Sequence, residues 1–541
     1  MSNTNQPWMT VDSILNAINN FDQGKERKKI GILGAGMAGL VAAYELKKLG
    51  HTVEILEGSD RVGGRVWTKY FANGQYGEFG AMRIPGRHDY TRHYIKETEL
   101  ELGRFITSNP KGFYDIRGTT TRIFEAIDNL YPQYKNLRKS DLALASDIGE
   151  NGYPKGVGAI LDNLISPILE DLSQEDKLAL YSGQLTDKLK KLDAKALRQF
   201  LRQERPESDG AMDLIGSLTS LENLWQGSIL EELRGTIEGR GSGLQEIIGG
   251  MDQLPNSLAD KMIDDKGTVR DNIEFNSEVY GIKTEKDCVE VTYAKCMQQY
   301  DYVLCTIPFS VLRRLELNGL SSEKMLAIRN ITYASSTKVL LLCKERFWED
   351  GKYNIIGGAS ISDRISRQTY YPSHHVQDYR EPWSEQKEGR EFQPLSLAAV
   401  YSDAFCQRQE GASPEEPGVL LGSYTWGMNA RRLGVLSQEE RAQKVINSIS
   451  KFHEEISKPG QVIGSASMFW DENKWSAGAF THFDSFDTDL YYQAGLKPEG
   501  RLHFAGEHLS PAPGWIQGAI MSSLRAVLEM VKSFPTRIQS Q

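Results

Sequence analysis

The sequence predicts an α/β protein with more than one domain. A short apolar strand, a glycine-rich turn and a helix follow one another near the N-terminus, in the order that opens a βαβ unit. The middle of the chain is leucine-rich and charged at helical spacing, and strand-like segments occupy much of the second half. The length of 541 residues also exceeds the size at which one compact core is the default.

The first elements predict a short helix followed by the βαβ unit. Apolar residues at helical spacing predict an amphipathic helix over residues 11–18. Residues 29–33 form a short apolar strand, residues 37–49 a helix, and residues 51–56 a second strand with alternating character. A helix between two strands is the connection that parallel strands require.

Downstream of this unit the predicted elements change from helical to β-rich. Residues 116–245 predict a helical insert, and residues 376–393, which are polar and charged, predict a solvated loop. A strand and a helix that follow a turn, at residues 502–505 and 515–531, close the pattern. The remaining strand-like segments are residues 272–282, 288–293, 302–306, 338–343 and 418–426.

Composition and charge exclude several classes of protein. The chain has 40% hydrophobic and 25% charged residues, as ordinary globular proteins do. Its net charge of −9 is unfavourable for general binding to a nucleic acid backbone. No stretch approaches the roughly 18 apolar residues that span a bilayer. We therefore expect neither a nucleic acid nor a membrane partner.

Cysteine usage and the first residues indicate the compartment. The five cysteines are odd in number, scattered and without a CxxC pair, which predicts buried thiols in a reducing environment. Residues 1–10 lack the basic and apolar regions of a secretory signal. The sequence therefore predicts a cytoplasmic protein.

The turn at residues 34–39, with the sequence GAGMAG, predicts a dinucleotide-binding site. Gly34 allows the tight turn, Gly36 lets a pyrophosphate approach the backbone, and Gly39 allows the helix to pack closely. The phosphates would then lie at the N-terminus of the helix. Glu57 stands at the end of the second strand, where a carboxylate can accept hydrogen bonds from ribose hydroxyls and disfavours a 2′-phosphate.

Two further segments favour a flavin over a nicotinamide. Residues 61–65 (RVGGR) bring a second glycine turn and an arginine next to the predicted pyrophosphate site. Residues 504–507 (FAGE) precede a turn of small residues and a last helix that starts near residues 514–516. The positive end of that helix dipole suits the flavin N1/C2 oxygen region, which becomes anionic on reduction.

These segments resemble flavoproteins with two dinucleotide-binding domains, and specifically the flavin-containing amine oxidase superfamily. The similarity to L-amino acid oxidases covers most of the chain, and several segments, including residues 423–426, are equally similar to bacterial tryptophan and lysine 2-monooxygenases. The segments that carry it are residues 77–85 (GEFGAMRIP), 249–255 (GGMDQLP), 336–338 (STK), 347–348 (FW), 423–426 (SYTW) and 514–516 (GWI).

The resemblance implies a non-covalent FAD. Ala479 stands where monoamine oxidases carry the cysteine that links the flavin, so that attachment is excluded. The residues that the resemblance and the glycine motif together assign to the cofactor are Gly34, Gly36, Met37, Ala38, Gly39, Glu57, Gly58, Gly64, Arg65, Gly80, Ala81, Met82, Arg83, Val279, Glu507, Gly514, Trp515, Ile516, Gln517, Gly518 and Ala519.

The resemblance also assigns roles at the substrate. Arg83 and Tyr424 match the residues that hold the substrate carboxylate, and a planar guanidinium suits a carboxylate because it can donate two parallel hydrogen bonds. Lys338 matches the lysine that holds water at the flavin and can promote electron transfer to O2. Trp515 and Phe480 match two aromatic positions that flank the substrate, next to Gly514 in the final turn. The expected catalytic residues are therefore Lys338, Arg83, Tyr424 and Trp515.

The helical insert lacks a histidine that some members of the superfamily place in the active site. No histidine occurs in residues 213–239. Glu222, Glu231 and Glu232 are candidates for reading a basic side chain, against the alternative of a solvated helix face. His374-His375 has no carboxylate or cysteine at metal-ligand spacing, so we expect loop histidines and no metal site.

The function expected from this resemblance is oxidative deamination of a free L-amino acid, with O2 as the second substrate. The alternatives are an L-amino acid 2-monooxygenase that yields the carboxamide and CO2, a polyamine or monoamine oxidase, and a flavoprotein scaffold without catalysis. A homodimer is expected from the resemblance alone. The predicted division is an N-terminal helix (1–28), an FAD domain (29–66, 246–335 and 496–535), a mixed-sheet substrate domain (67–115 and 336–495) and a helical domain (116–245).

Overall fold

A computed structural model describes residues 9–149, 153–204, 209–238, 243–294, 296–377 and 407–536. The α-helices of these residues are α1 Val11–Asp22, α2 Met37–Lys48, α3 Asp89–Glu97, α4 Ala126–Asn129, α5 Lys139–Ser146, α6 Val157–Glu170, α7 Gln174–Ser182, α8 Asp187–Asp193, α9 Leu197–Glu204, α10 Asp209–Thr219, α11 Ile229–Ile237, α12 Gln253–Asp260, α13 Phe309–Leu312, α14 Ser322–Asn330, α15 Gly427–Gly434, α16 Gln438–Ile449, α17 Gln493–Leu496 and α18 Ile516–Ser533.

The strands of the same residues form several sheets. They are β1 Lys29–Leu33, β2 Thr52–Leu56, β3 Thr68–Tyr70, β4 Tyr76–Glu78, β5 Leu102–Arg104, β6 Phe113–Ile116, β7 Thr119–Arg122, β8 Gln245–Ile247, β9 Ile273–Glu274, β10 Val279–Thr284, β11 Val289–Tyr293, β12 Cys296–Tyr300, β13 Tyr302–Cys305, β14 Glu316–Asn318, β15 Tyr333–Ala334, β16 Ser336–Cys343, β17 Ala359–Ser362, β18 Gln368–Tyr370, β19 Gly418–Trp426, β20 Val462–Phe469, β21 Phe480–Thr481 and β22 Leu502–Phe504.

The βαβ unit is part of a five-stranded parallel sheet with the order β22-β13-β1-β2-β9. Strands β13 and β22 are buried along their whole length, as expected for short apolar strands in a parallel sheet covered on both faces. Helices α2 and α18 pack against each other, and Ile32, Leu40 and Val527 lie in one core. The N-terminal and C-terminal parts of the chain therefore build the same sheet.

A seven-stranded mixed sheet has the order β20-β16-β19-β18-β17-β6-β7. Strand β16 lies between β19 and β20 and is antiparallel to both. Strand alternation places Leu340 and Leu342 on the face that packs against residues 79–82, and Val339 and Leu341 on the opposite face against α16. Lys338 is in phase with the first set, so it points toward residues 79–82.

A β-bulge interrupts the pairing of β16 with β19. Val339 is opposite Ser423, whereas Leu340 is opposite Leu421, so Gly422 is the extra residue. A Cβ atom at Gly422 would lie 2.9 Å from side-chain atoms of both Leu341 and Val445, so the close packing there requires glycine. The bulge shifts the alternation of β19 by one residue.

The range predicted as a helical insert begins with a strand. Helices α4 to α11 lie within residues 116–245, but β7 also lies there and forms the edge of the seven-stranded sheet by pairing with β6. The turn between β6 and β7 places Arg117 and Gly118 at φ 54° and 78°, and two successive positive φ values are typical of a tight hairpin. The predicted domain boundaries themselves stay a prediction.

Other sequence predictions need correction in detail. The segment predicted as one strand at residues 272–282 is two, β9 and β10, because Asn276 and Ser277 turn away to donate backbone hydrogen bonds to the carbonyl oxygens of Ser59 and Glu57. The helix predicted at residues 37–49 ends at Lys48, and the last helix starts at Ile516. The predicted loop at residues 376–393 lies outside the described residues from residue 378 onward.

The cysteines are less uniformly buried than predicted. Cys305 and Cys343 are buried and Cys288 is partly exposed, but Cys296 is exposed, because edge strand β12 is largely solvent-facing. Cys406 lies outside the described residues. Of the helices in the described ranges, none is long and apolar enough to span a membrane.

Candidate active site

A cavity of about 560 Å³ lies at the carboxyl ends of the parallel strands. Its wall includes residues that follow four of these strands: Gly34, Glu57 and Thr306 directly after β1, β2 and β13, and Gly506 two residues after the end of β22. This edge of an open α/β sheet is where ligands generally bind. The seven-stranded sheet and the helical segment close the other sides of the cavity.

The predicted glycine turn has the geometry of a phosphate-binding site. Gly34 has φ 102°, and a Cβ atom at Gly39 would lie 2.0 Å from the Gly34 carbonyl oxygen, so both positions require glycine. A Cβ atom at Gly36 would meet no atom of the described residues within 4 Å. Gly36 is the N-cap of α2 and has no side chain to satisfy the first N–H groups, so the turn exposes backbone donors to the cavity.

The carboxylate of Glu57 is fixed beside this turn. One oxygen accepts a hydrogen bond from the Ala35 backbone N–H at 2.7 Å, and the other accepts from the Ser59 N–H and hydroxyl at 2.8 and 2.6 Å. Glu57 lines the cavity while these bonds hold it in place. The arrangement fits the expected acceptor for a ribose.

Arg65 and Glu507 form an ion pair in the cavity wall. The Nη1 atom of Arg65 lies 2.6 Å from Oε1 of Glu507 and donates a second bond to the Ala479 carbonyl. The other Glu507 oxygen accepts from the Gly514 and Thr481 backbone N–H groups. Although burial favours a higher pKa for Glu507, Arg65 and these donors outweigh it and lower the pKa.

This ion pair positions the two predicted aromatic walls. It joins β21, which begins with Phe480, to the turn that contains Gly514. Gly514 has φ 79°, and a Cβ atom there would lie 3.4 Å from the Phe480 Cβ. Trp515 follows directly, lines the cavity and meets the His88 ring edge to face at 5.0 Å.

The structure brings Arg83, Lys338 and Tyr424 together from three distant segments. Lys338 and Tyr424 are directly opposite in the register of β16 and β19, and the Lys338 Nζ atom lies 4.7 Å from the centre of the Tyr424 ring. The Arg83 guanidinium carbon lies 6.0 Å from the centre of the Trp515 ring. All four side chains line the cavity.

Lys338 is almost completely removed from solvent, with 2% of its surface exposed. Its Nζ atom donates to the Gly80 carbonyl at 2.6 Å and lies 3.4 Å from the Met82 sulfur. Burial lowers the pKa of Lys338 well below its ordinary value, and the nearby positive charge of Arg83 lowers it further, while Glu78 raises it. Burial likewise raises the pKa of the Tyr424 hydroxyl, so this hydroxyl keeps its proton at neutral pH.

Most predicted site residues line this cavity, but three do not. Gly39 packs against the Gly34 carbonyl group within the turn. Gln517 accepts from the Thr91 N–H and donates to Asp89, which connects α18 to α3. Gly518 allows close packing, because a Cβ atom there would lie 2.1 Å from the Ala512 carbonyl oxygen. The lining residues are Gly34, Gly36, Met37, Ala38, Glu57, Gly58, Gly64, Arg65, Gly80, Ala81, Met82, Arg83, Val279, Lys338, Tyr424, Phe480, Glu507, Gly514, Trp515, Ile516 and Ala519.

The helical segment contributes Leu221, Leu224 and Glu232 to the cavity wall. Of the three acidic candidates, Glu222 instead pairs with Arg367, and Glu231 pairs with the fully buried Arg234. Glu232 is therefore the candidate acid that reaches the site.

Several lining residues were missed by sequence reasoning, including Trp426, Trp470 and Trp475. Trp426 could have been found, because it lies two residues beyond Tyr424 on the same strand and therefore shares its face. Trp475 packs on Gly58, where a Cβ atom would lie 2.3 Å from its ring, and this contact has no local signal.

The two adjacent histidines lie away from the cavity. His375 makes a 2.7 Å contact with Glu349, and the His374 ring packs against Tyr76 at 5.1 Å. The fold therefore gives His375 a carboxylate partner, Glu349, although no carboxylate stands at metal-ligand spacing near it in the sequence. In the described ranges, no group of three or more His, Cys, Asp or Glu side chains could hold a metal ion.

The cleft combines a glycine-rich turn at a helix N-terminus, a fixed carboxylate and a wall with cationic and aromatic side chains. This combination is typical of an enzyme with a dinucleotide cofactor. The family model for flavin containing amine oxidoreductase matches residues 37–531. The chain therefore belongs to the flavin-containing amine oxidoreductases, in the branch of the L-amino acid oxidases.

Two relatives show this branch. The flavin-dependent L-tryptophan oxidase RebO of Lentzea aerocolonigenes is 34% identical over 92% of this chain and 97% of its own length. An L-amino-acid oxidase of Bothrops moojeni, BmooLAAO-I, is 29% identical over 95% of this chain and 91% of its own length.

Solved structures of amine oxidases share the fold. A putrescine oxidase bound to putrescine superimposes with a TM-score of 0.66 at 16% identity, covering 94% of this chain and 99% of that chain. The cyclohexylamine oxidase of Brevibacterium oxydans gives 0.66 at 17% identity, with the same coverage.

FAD is the cofactor of this family, and the residues present fit it. The open space at Gly36, the exposed backbone donors of α2 and the fixed Glu57 carboxylate suit an adenosine diphosphate group. Ala479 offers no side chain for a covalent link at the position that carries the cysteine in monoamine oxidases.

Gly39→Ala is expected to reduce the flavin bound per protein. The new Cβ atom would lie 2.0 Å from the Gly34 carbonyl oxygen, so α2 must move away from the turn that forms the phosphate site. The ratio of absorbance at 450 nm to that at 280 nm measures this loss in the purified variant. Gly351→Ala is the matched control, since its Cβ atom would meet nothing described within 4 Å. Full flavin content in Gly39→Ala would contradict this function of the turn.

Proposed function

We propose that this protein oxidises the α-amino group of a free L-amino acid, giving the 2-oxo acid, ammonia and hydrogen peroxide. The observation that carries the proposal is the position of the Arg83 guanidinium and the Tyr424 hydroxyl in one cavity wall. A guanidinium and a protonated hydroxyl together form a suitable site for a carboxylate, and an amine without that group would leave them unpaired.

The side chains around this pair orient the substrate. Arg83 lies against the Trp515 ring, which limits where a bound carboxylate can sit. Trp515 and Phe480 offer flat apolar walls on either side of Gly514. Holding the carboxylate at one end and the side chain between rings fixes the direction of the Cα–H bond, and such positioning is a large part of catalysis.

When bound, FAD would supply the redox chemistry by taking up the two electrons of the substrate Cα–H bond as hydride and passing them to O2, which leaves an imino acid after the amino nitrogen has lost a proton. The chain's own contribution is orientation, exclusion of water and a positive charge at the reacting end. Lys338 supplies this charge, because its Nζ atom is held by the Gly80 carbonyl in the cavity wall. The imino acid then takes up water and releases ammonia, so that amino acid, O2 and water are converted to 2-oxo acid, ammonia and peroxide.

The experiment that tests this proposal is anaerobic bleaching of the flavin with a panel of the twenty L-amino acids, their D-forms and the corresponding decarboxylated amines. We expect bleaching by one or a few L-amino acids and little by the amines, because amines cannot engage Arg83 and Tyr424. Equal bleaching by amines would favour a monoamine or polyamine oxidase. A flavin that no compound bleaches would favour a scaffold without catalysis.

An oxidase and a 2-monooxygenase can share the cavity residues, so product analysis separates them. We expect 2-oxo acid, ammonia and peroxide in equal amounts from a good substrate. Residues 211–216 resemble the oxidases, and RebO and BmooLAAO-I are both named as oxidases. A pool dominated by the carboxamide and CO2 would mean that peroxide attacks the imino acid, with loss of CO2 and water, before the imino acid escapes to solvent.

A further inference from the structure

In the described part of the chain, no carboxylate side chain makes direct contact with the Lys338 ammonium group. This ammonium group is held by the neutral Gly80 carbonyl, the Met82 sulfur and the face of the Tyr424 ring. Arg83, the other nearby charge in the cavity wall, is also positive. A buried ammonium without a counter-charge gives up its proton, because desolvation disfavours the charged form.

Glu78 lies at the end of β4, two residues before Gly80. Both of its carboxylate oxygens lie 3.0 Å from the Thr68 hydroxyl, and Oε1 also accepts from the Met251 N–H at 2.8 Å. These donors stabilise the charged carboxylate and hold it in place. Glu78 is not part of the cavity wall, and neither the cofactor site nor the substrate site uses it.

We propose that Glu78 is the counter-charge that keeps the Lys338 ammonium protonated. This inference rests on the function proposed for Lys338. The carboxylate acts through space, because Glu78 and Lys338 form no ion pair within 4.0 Å in the described part of the chain. Glu78 is thus a positioning residue, and the Lys338 charge is what reaches the reacting end of the cavity.

The charged and titratable groups around this pair come from four segments. Arg83 acts on Lys338 from the loop after β4, and Tyr424 faces it from β19. Asp252, at the start of α12, acts on Glu78, and Glu78 and Asp252 both act on Tyr70 of β3. Burial is the largest effect on Glu78 and, with Asp252, raises its pKa to about 7, although the hydrogen bonds from Met251 and Thr68 and the charge of Lys338 oppose that rise. Lys338 is the cation among these groups that favours the Glu78 carboxylate.

Glu78→Gln tests the proposal, because glutamine keeps the size and an acceptor for the Met251 N–H while removing the charge. The titration of Lys338 is followed directly by NMR of the FAD-loaded protein labelled with ¹³C at lysine Cε. The Lys338 signal is assigned by its absence from Lys338→Met. We expect the midpoint in Glu78→Gln to fall by about one pH unit or more, since a lost opposite charge shifts a pKa by roughly that amount.

The same shift should appear in the step that uses O2. We follow the reaction with O2 by stopped-flow mixing between pH 5.5 and 9.5. The rate of Glu78→Gln should approach that of the natural protein at low pH and that of Lys338→Met at high pH. An unchanged midpoint in both measurements would overturn the proposal, as would an equal loss of rate at every pH. If Lys338→Met itself keeps the natural rate, the function proposed for Lys338 fails, whatever the NMR midpoint of Glu78→Gln shows.

A second variant covers the case in which Glu78→Gln does not fold, judged by its flavin content. Thr68→Val removes a hydroxyl that stabilises the Glu78 carboxylate, so Lys338 should titrate at lower pH than in the natural protein, with a smaller shift. A Lys338 midpoint that is unchanged in folded Thr68→Val would overturn the proposal. Thr120→Val is the matched control, because its hydroxyl donates to Asp115, away from the cavity.

Discussion

Arg83→Ala is expected to cost about 2–4 kcal/mol of transition-state stabilisation, which lowers kcat/KM for a good amino acid substrate roughly 30- to 700-fold. Loss of one partner of a buried charge pair has a cost of this order. The physical reason is that the substrate carboxylate loses part of its hydration when it enters the cavity. In Arg83→Ala, the Tyr424 hydroxyl would be the remaining hydrogen-bond donor of the predicted pair. Steady-state kinetics with the best substrate of the panel measures the loss. The flavin content should not change, because the Arg83 guanidinium lies against the Trp515 ring, on the substrate side.

The control for this change is Arg432→Ala. Arg432 is exposed and donates to Asn429 within α15, so its removal leaves the cavity intact. Arg83→Ala should also lose the preference for amino acids over decarboxylated amines, since the amines never used the guanidinium. Full activity of Arg83→Ala would refute amino acid oxidation. So would bleaching of the natural protein's flavin by decarboxylated amines as fast as by amino acids.

Lys338→Met is expected to slow the reaction with O2 by about 100-fold, the typical cost of removing one preorganised electrostatic group. Anaerobic bleaching by the substrate should slow much less. A positive charge in the cavity wall stabilises the negative charge that develops on O2 as it accepts electrons. It stabilises the oxidation of the substrate much less, because the substrate loses electrons in that step. Stopped-flow spectroscopy of the two half-reactions in the same preparation gives both rates.

The pH dependence of the O2 step follows from the same charge. Because burial lowers the pKa of Lys338, the cation is present at low pH and is lost as pH rises through that lowered value. The rate with O2 should therefore fall with rising pH in the natural protein and be nearly independent of pH in Lys338→Met. Lys344→Met, at a largely exposed lysine, is the control. Equal losses in both half-reactions would mean that Lys338 is structural.

Local sequence determined the cofactor end of the site. One turn and one strand end, within about twenty residues of chain, place Gly34, Gly36, Gly39 and Glu57 where the sequence predicts them. Backbone conformation, close packing and the helix terminus are all short-range effects. The βαβ unit, the last helix and the strand with Lys338 were likewise predicted from periodicity, within a residue or two at each end. The predicted domain boundaries, homodimer and cytoplasmic location stay predictions.

The roles at the substrate end came from resemblance, and only the tertiary structure decided how that end is assembled. Alternation along β19 predicts that Tyr424 shares a face with Leu420, which lies against α16, whereas the bulge at Gly422 turns Tyr424 toward Lys338. Arg65 meets Glu507 across 442 positions of sequence.

The helical segment adds Leu221, Leu224 and Glu232 to the same cavity, where periodicity alone suggested a solvated face for the acids. The physical reason is common to these cases. A bulge, an ion pair between remote segments and a shared cavity wall depend on which surfaces pack together, and the local period of a strand or helix carries no information on its distant neighbours.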